Sequence, residues 1–262
     1  FGLPEMGIQV AAAATVFGQI VAMFLAMYFN HAKNKDVSLA FRGFKPNKRT
    51  IAIIYEVGIP SIIMQSISSV MTFGMNKILI SFSETAVAVF GVYFKLQSFI
   101  FMPIFGLNNG MIPIVAYNYG SRSKKRIMET VRLSIGISMG IMLIGLIIFQ
   151  VFTPGLLFMF QADSDMLSIG IPALRIISLS FLFAGYCIIL ASVFQALGNG
   201  IYSLIISVAR QLICILPLAY FFARTFGLNM VWYSIPIAEI TSVALSSILF
   251  RKIYLEKIRV LS

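Results

Sequence analysis

Charged side chains are scarce in this sequence, so those that fall inside apolar runs are the residues best placed to do chemistry. Glu56, Lys95, Arg175, Arg210 and Glu239 each sit in a stretch dominated by Ile, Leu, Val, Phe and Met. A charge left alone in such surroundings is costly, so pairing is the first expectation. At 1.5 Å per helical residue, Lys95 lies roughly 14 Å and Glu239 roughly 16 Å in from the same end of their segments, so the two can meet. Glu56 and Arg210, each several residues in from the opposite end, form a second predicted pair. Arg175 either reaches Asp163 or Asp165 or stays unpaired. Both pairs are read as neutralised charge, with the sharper alternative that Lys95 or Glu239 faces a cavity and meets a bound ion or ligand.

Uncharged polar residues supply the remaining candidates. Gln65 and Ser68 fall one helical turn apart on one face, flanked by Met64 and Met71. At this spacing they either coordinate a ligand or hydrogen-bond a neighbouring helix. The stretch "GLNNGMIPIVAYNYGSR", 106–122, concentrates several devices. Gly106 and Gly110 have the small-xxx-small spacing that admits another helix closely. Pro103 and Pro113 each remove a backbone donor, and Asn108 and Asn109 can satisfy the carbonyls so freed. The segment reads either as a kinked, tightly packed helix or as a bend lining a water-filled path. Gly120 is the expected C-terminal cap. Cys187 and Cys214 do not have metal-ligand spacing, and His31, the single histidine, lies at a helix end. No catalytic triad, phosphate loop or paired-carboxylate motif is present, so the expectation is no enzyme, no metal site and no cofactor.

The elements that must position these residues follow from composition. Hydrophobic residues make up 59% of the 262 and charged ones only 11%. A water-soluble fold cannot hide that much apolar surface, whereas a bilayer needs about 20 apolar residues per helical crossing. Seven such spans can be drawn, at 6–29, 51–82, 86–117, 127–152, 167–196, 201–222 and 228–250. No segment alternates as the strands of a membrane barrel would, which predicts an all-α integral membrane protein.

Basic residues set the expected orientation, because cytoplasmic loops carry the excess. Fifteen of the 20 lysines and arginines fall in 30–50, 120–132 and the tail after Phe250, which share one side if seven spans alternate. The C-terminus is then cytoplasmic and Phe1 lies outside. The net charge of +11 is accounted for by this asymmetry, with anionic membrane lipids as the partner and no nucleic acid. An amino end outside without a signal peptide also predicts that an upstream part is missing.

Several pieces resemble one family in the same order. "GIQVAAAATVFGQ" (7–19), "EVGIPS" (56–61), the run from Tyr93 to Arg122, "VFQALGNG" (193–200), "RQLICILPLAY" and "IPIAE" are similar to parts of the sixth, seventh, eighth, tenth, eleventh and twelfth helices of multidrug and toxic compound extrusion (MATE) transporters. The resemblance implies that 1–30 is the last helix of a missing N-terminal lobe, 31–50 a basic cytoplasmic linker, 51–252 a six-helix C-terminal lobe and 253–262 a cytoplasmic tail. It implies a secondary antiporter of the cell membrane that exports small organic, cationic compounds against inward Na+ or H+, by rocking of two lobes around a central cavity. In some members the seventh helix carries a cation-binding glutamate after the "GxP". At the corresponding place this sequence has Ser68, which argues against a carboxylate cation site there. The 14 methionines and 24 phenylalanines suit a cavity that accepts differently shaped molecules. The alternatives are a related lipid-linked oligosaccharide flippase, which needs a larger and more basic cavity, and a seven-helix receptor.

Overall fold

The computed structural model describes residues 7–33 and 45–261, without the side chains at 7–9, 11, 53, 56, 57 and 61. The chain divides into two compact units, Phe1–Ile53 and Ile54–Ser262. All regular structure among the described residues is helical.

The first unit contains α1, Gly7–Lys33. Within it, Ala12–Lys33 is long and apolar enough to cross a bilayer. Its large side chains, Phe17, Phe24 and Tyr28 among them, are exposed. A helix that is apolar all round needs lipid or a protein partner as its solvent. Lys33 ends it with its ammonium 5.6 Å above the Phe29 ring, the arrangement of a basic residue anchored beside an aromatic at a membrane surface.

Helix α2, Lys48–Leu79, runs from the first unit into the second. The larger unit continues with α3 (Glu84–Gly120), α4 (Lys124–Val151), α5 (Thr153–Phe158), α6 (Ser164–Ser178) and α7 (Phe181–Ala196). Then come α8 (Gly200–Val208), a π-helical turn over Ala209–Ile215, α9 (Leu216–Thr225), α10 (Leu228–Val231) and α11 (Ser234–Ile253). A second π-helical turn, Tyr254–Ile258, closes the unit.

Among the described residues, five segments are individually long and apolar enough to span a membrane, and a bent pair makes up to six. The span expected at 51–82 falls on α2, whose first half includes side chains outside those described, so the five do not count it. The span expected at 167–196 is the bent pair: α6 and α7 meet at 48°. Side chains cause the break. Ser178 Oγ donates to the Arg175 carbonyl, Ser180 Oγ donates to that of Ile177, and Gln150 from α4 reaches in with Nε2 2.8 Å from the Arg175 carbonyl. Hydroxyls and an inserted amide that compete for helix carbonyls bend the axis.

Caps set the ends. Ser83 Oγ accepts from the Ala86 N–H at the start of α3, and Asp163 Oδ1 accepts from the Met166 N–H at the start of α6. The end of α3 departs from expectation. Gly120 is still helical, and Arg122 takes the left-handed conformation at φ 55°. The Ser123 N–H returns to the Asn118 carbonyl at 2.9 Å and the Arg122 N–H to that of Tyr119 at 3.2 Å, which is the Schellman pattern displaced past the glycine.

The core is tightest along α4. Gly145 meets the Ile100 side chain of α3, and Gly185 of α7 sits against Met142 and Ser138. Ser138 Oγ donates to the Gly185 carbonyl across that seam at 3.1 Å. Small residues there allow close backbone approach, with a hydroxyl bridging the helices. Phe101, Phe149 and Phe181 stack edge to face beside it.

Candidate functional site

A cavity of about 360 Å3 opens inside the larger unit, among α2, α3, α7, the first π-helical turn and α11. Its α3 wall is aromatic, with Phe90, Tyr93, Phe94, Phe101 and Phe105, and polar at Gln97 and Ser98. α2 adds Ser68, Met71 and Thr72; the facing wall is Arg210, Gln211 and Ile215, with Glu239 from α11. Arg210 and Glu239 are the charged members of this lining.

Local sequence explains how the charged pair is presented. Pro217 has no N–H to return to the Ile213 carbonyl and its ring presses on that turn, so the backbone widens to π geometry over Ala209–Ile215. The wider turn brings Arg210, Gln211 and Ile215 to one wall. On the other side, α11 begins at Ser234 after a short break, and Pro236 falls in its first turn, where no donor is required. Glu239 follows one turn later and is buried.

Arg210 Nη1 donates to Glu239 Oε1 at 2.8 Å. This contact corrects the predicted Lys95–Glu239 pair. Glu239 is joined to Arg210, and Lys95 is exposed, with its ammonium 5.9 Å from the Phe160 ring. The Glu56 side chain lies outside the described residues. Two physical reasons account for the change. Arg210 is ten residues beyond Gly200 and fifteen before Thr225 in the segment Gly200–Thr225, roughly 15 Å from one end and roughly 22 Å from the other, and so near the middle of that segment. Lys95, for its part, belongs to an exposed stripe of α3 that also carries Gly91, Phe99, Met102, Gly106, Asn109, Gly110, Pro113 and Tyr117. Arg175 is exposed and makes no ion pair among the described residues, while Asp163 is occupied as a cap.

The pair is only half made. Glu239 Oε2 and Arg210 Nε are both buried without a hydrogen-bond partner. A bidentate arginine–carboxylate contact would satisfy both atoms.

Other candidates separate by position. Ser68 joins the cavity, whereas Gln65 is exposed on the same helix. Asn108 is buried with Oδ1 unpartnered, and Asn109 is exposed. Pro103 and Pro113 are exposed within an α3 that remains helical throughout. Gly106 and Gly110 do not seat a neighbour. Added Cβ atoms there would meet nothing, and both residues line an open groove with Leu107, Met111, Leu133 and Ile137 between α3 and α4. Close approach occurs instead at Gly145 and Gly185, whose neighbours across the interface set the spacing. Gln97, Ser98, Thr72 and Gln211 were not expected at the site; the signal for Gln211 is its place next to Arg210 before a helix-distorting proline. Cys187 and Cys214 are free thiols.

Membrane-length helices around an aromatic-walled cavity that carries an arginine–glutamate ion pair define an all-α membrane protein. The match to the MatE family model over residues 60–221 makes the chain a member of that family. It is 27% identical over 239 residues to the multidrug export protein MepA of Staphylococcus haemolyticus, covering 91% of this chain and 52% of the relative. Against MepA of Staphylococcus aureus it is 29% identical over 241 residues, covering 90% and 52%. In structure it resembles a MOP superfamily transporter from Pyrococcus furiosus, described as having a binding pocket of reverse polarity that suggests a different function. That match has a TM-score of 0.87 at 25% identity and covers 98% of this chain and 57% of the other. The chain spans about half the length of the curated relatives it matches.

Proposed function

We propose that this chain forms one lobe, with a helix of the other, of a secondary antiporter that exports small organic cations in exchange for Na+ or H+. The observation that carries this reading is the half-satisfied Arg210–Glu239 pair on the wall of an aromatic cavity, with Arg210 near the middle of its segment. Aromatic faces attract organic cations, and a buried carboxylate supplies the charge they need. The exposed α3 stripe with Lys95, Gly106, Asn109 and Gly110, together with Gln65 of α2, is then the surface that faces a second lobe across the central cleft.

In this arrangement the first span, 1–30, belongs to the opposite lobe, 31–50 is a cytoplasmic linker, 51–252 is the six-helix lobe and 253–262 a cytoplasmic tail. α2 and the bent α6–α7 pair each count as one crossing, which gives seven in the chain. The clustering of basic residues in the loop after α3 and after Phe250 puts the C-terminus in the cytoplasm of a cell whose plasma membrane holds the protein. Lys124 over Tyr254 and Lys252 over Tyr202 bring lysines and aromatic rings together, as at a membrane surface.

A lipid-linked oligosaccharide flippase would need a basic cavity. Here the lining charges cancel, which favours the exporter. Ethidium efflux from energised cells lacking their own exporters tests the reading. The 262-residue chain is compared with a form extended upstream to twelve spans. Efflux by the extended form alone is expected. Absence of efflux from both, with both in the membrane, would overturn it and move the flippase ahead.

A further inference from the structure

We propose that Arg210 is a tethered counter-cation that competes with a transported organic cation for Glu239, so that the ion pair and cation binding exclude each other. This rests on the exporter reading above and assigns the residue that sets affinity at its site.

Three observations carry it. Glu239 is the lining carboxylate, its side chain 7% exposed, and Oε2 lacks a partner while Oε1 is held by Arg210. Arg210 makes one hydrogen bond to Glu239 where two are possible, and its Nε is also unpartnered. The guanidinium thus holds the carboxylate without saturating it. Finally, Arg210 stands on a π-helical turn, a rare helical element frequently found at functional sites.

A buried carboxylate stripped of its partner is strongly unfavourable, so it is released only to a replacement cation. An organic cation entering from the open side meets Phe90, Tyr93, Phe94 and Phe101 as it approaches Glu239, and their faces offset part of its lost hydration. Arg210, 26% exposed and on a flexible stem, then swings to solvent. The reverse exchange expels the cation, because the arginine is always present at high effective concentration. No bond is made or broken, and the cavity's net charge is the same before entry and after release.

The test is ethidium binding to the purified chain in lipid nanodiscs, read by fluorescence anisotropy, with an uncharged planar dye as comparator. Arg210→Gln should tighten ethidium binding by roughly tenfold or more, because the tethered competitor is gone. Glu239→Gln should weaken it by a similar factor, and the double variant should behave as Glu239→Gln does. The uncharged dye should bind all four forms alike. Arg210→Lys keeps a charge opposite the carboxylate and gives a smaller shift of the same sign, and it replaces Arg210→Gln if that variant does not fold. Unchanged or weaker ethidium binding on removal of the arginine overturns the proposal, and so does an equal gain for the uncharged dye. These outcomes are separate from the exporter reading, which stands or falls on efflux by the extended form.

Discussion

Two regions of the larger unit bury polar groups in opposite ways. Between α4 and α7, Gly185 lets the backbones close, Met142 and Ser138 fill the space, and the Ser138 hydroxyl is spent on the Gly185 carbonyl. Between α3, the first π-helical turn and α11, the packing stops short, a cavity remains, and Glu239 Oε2 and Arg210 Nε are left over. In a membrane, where lipid tails are as apolar as the side chains, helices associate through close packing and interhelical hydrogen bonds. The first region uses both. The second leaves them incomplete, so exchanging one partner for another costs it little.

Breaking the ion pair should produce the largest effect on stability. Arg210→Ala leaves the buried Glu239 carboxylate without its cation and should cost about 3–5 kcal/mol, whereas Arg210→Met with Glu239→Leu should cost far less, because an apolar pair of similar volume removes both charges together. Thermal unfolding of the three forms in detergent measures this. If the double variant is as unstable as the single one, the pair is a structural clamp, and the two regions do not differ in kind.

Next in size is a change on the closed side. A Cβ at Gly185 would stand 2.9 Å from Met142 Cγ and 3.0 Å from Ser138 Oγ. Gly185→Val should therefore destabilise by about 1–3 kcal/mol through overpacking, without altering ethidium affinity in the fraction that folds. A change in affinity as large as that from Arg210→Gln would show that the closed seam and the cavity move together.

The sequence carries helix positions well and helix rotations poorly. The predicted 86–117 run falls inside Glu84–Gly120 and the 127–152 run matches Lys124–Val151 except for its last residue, because a bilayer crossing demands an uninterrupted apolar run that any chain must show. Which face of a helix meets a neighbour leaves no such trace, since lipid and packed protein are both apolar. That is why Lys95 could be assigned a depth but not a direction, and why depth alone paired it with Glu239. The bend at 179–180 depends on Gln150, which is distant in sequence, so local pattern could not announce it. Pro217 was a legible cause of the π turn, and with it Arg210 could have been placed near the middle of its segment.

The smallest effect is the most useful check on what a glycine motif means. Gly106 and Gly110 have the spacing of a helix-packing motif, yet Cβ atoms there meet nothing within 4 Å, whereas at Gly185 and Gly145 they collide. If spacing alone decided the matter, Gly106→Ala would be the damaging change. Because the α3–α4 groove is open, alanine at 106 or 110 instead removes backbone freedom from the unfolded chain at no steric cost and should stabilise this chain by about 0.5–1 kcal/mol. Thermal unfolding of the 262-residue chain should register that gain. Repeated on the form extended to twelve spans, the same substitution tests where the α3 stripe faces: if a second lobe closes against it, the gain should turn into a loss of stability or of efflux. A gain in both forms would leave the stripe facing lipid and remove it from the cleft.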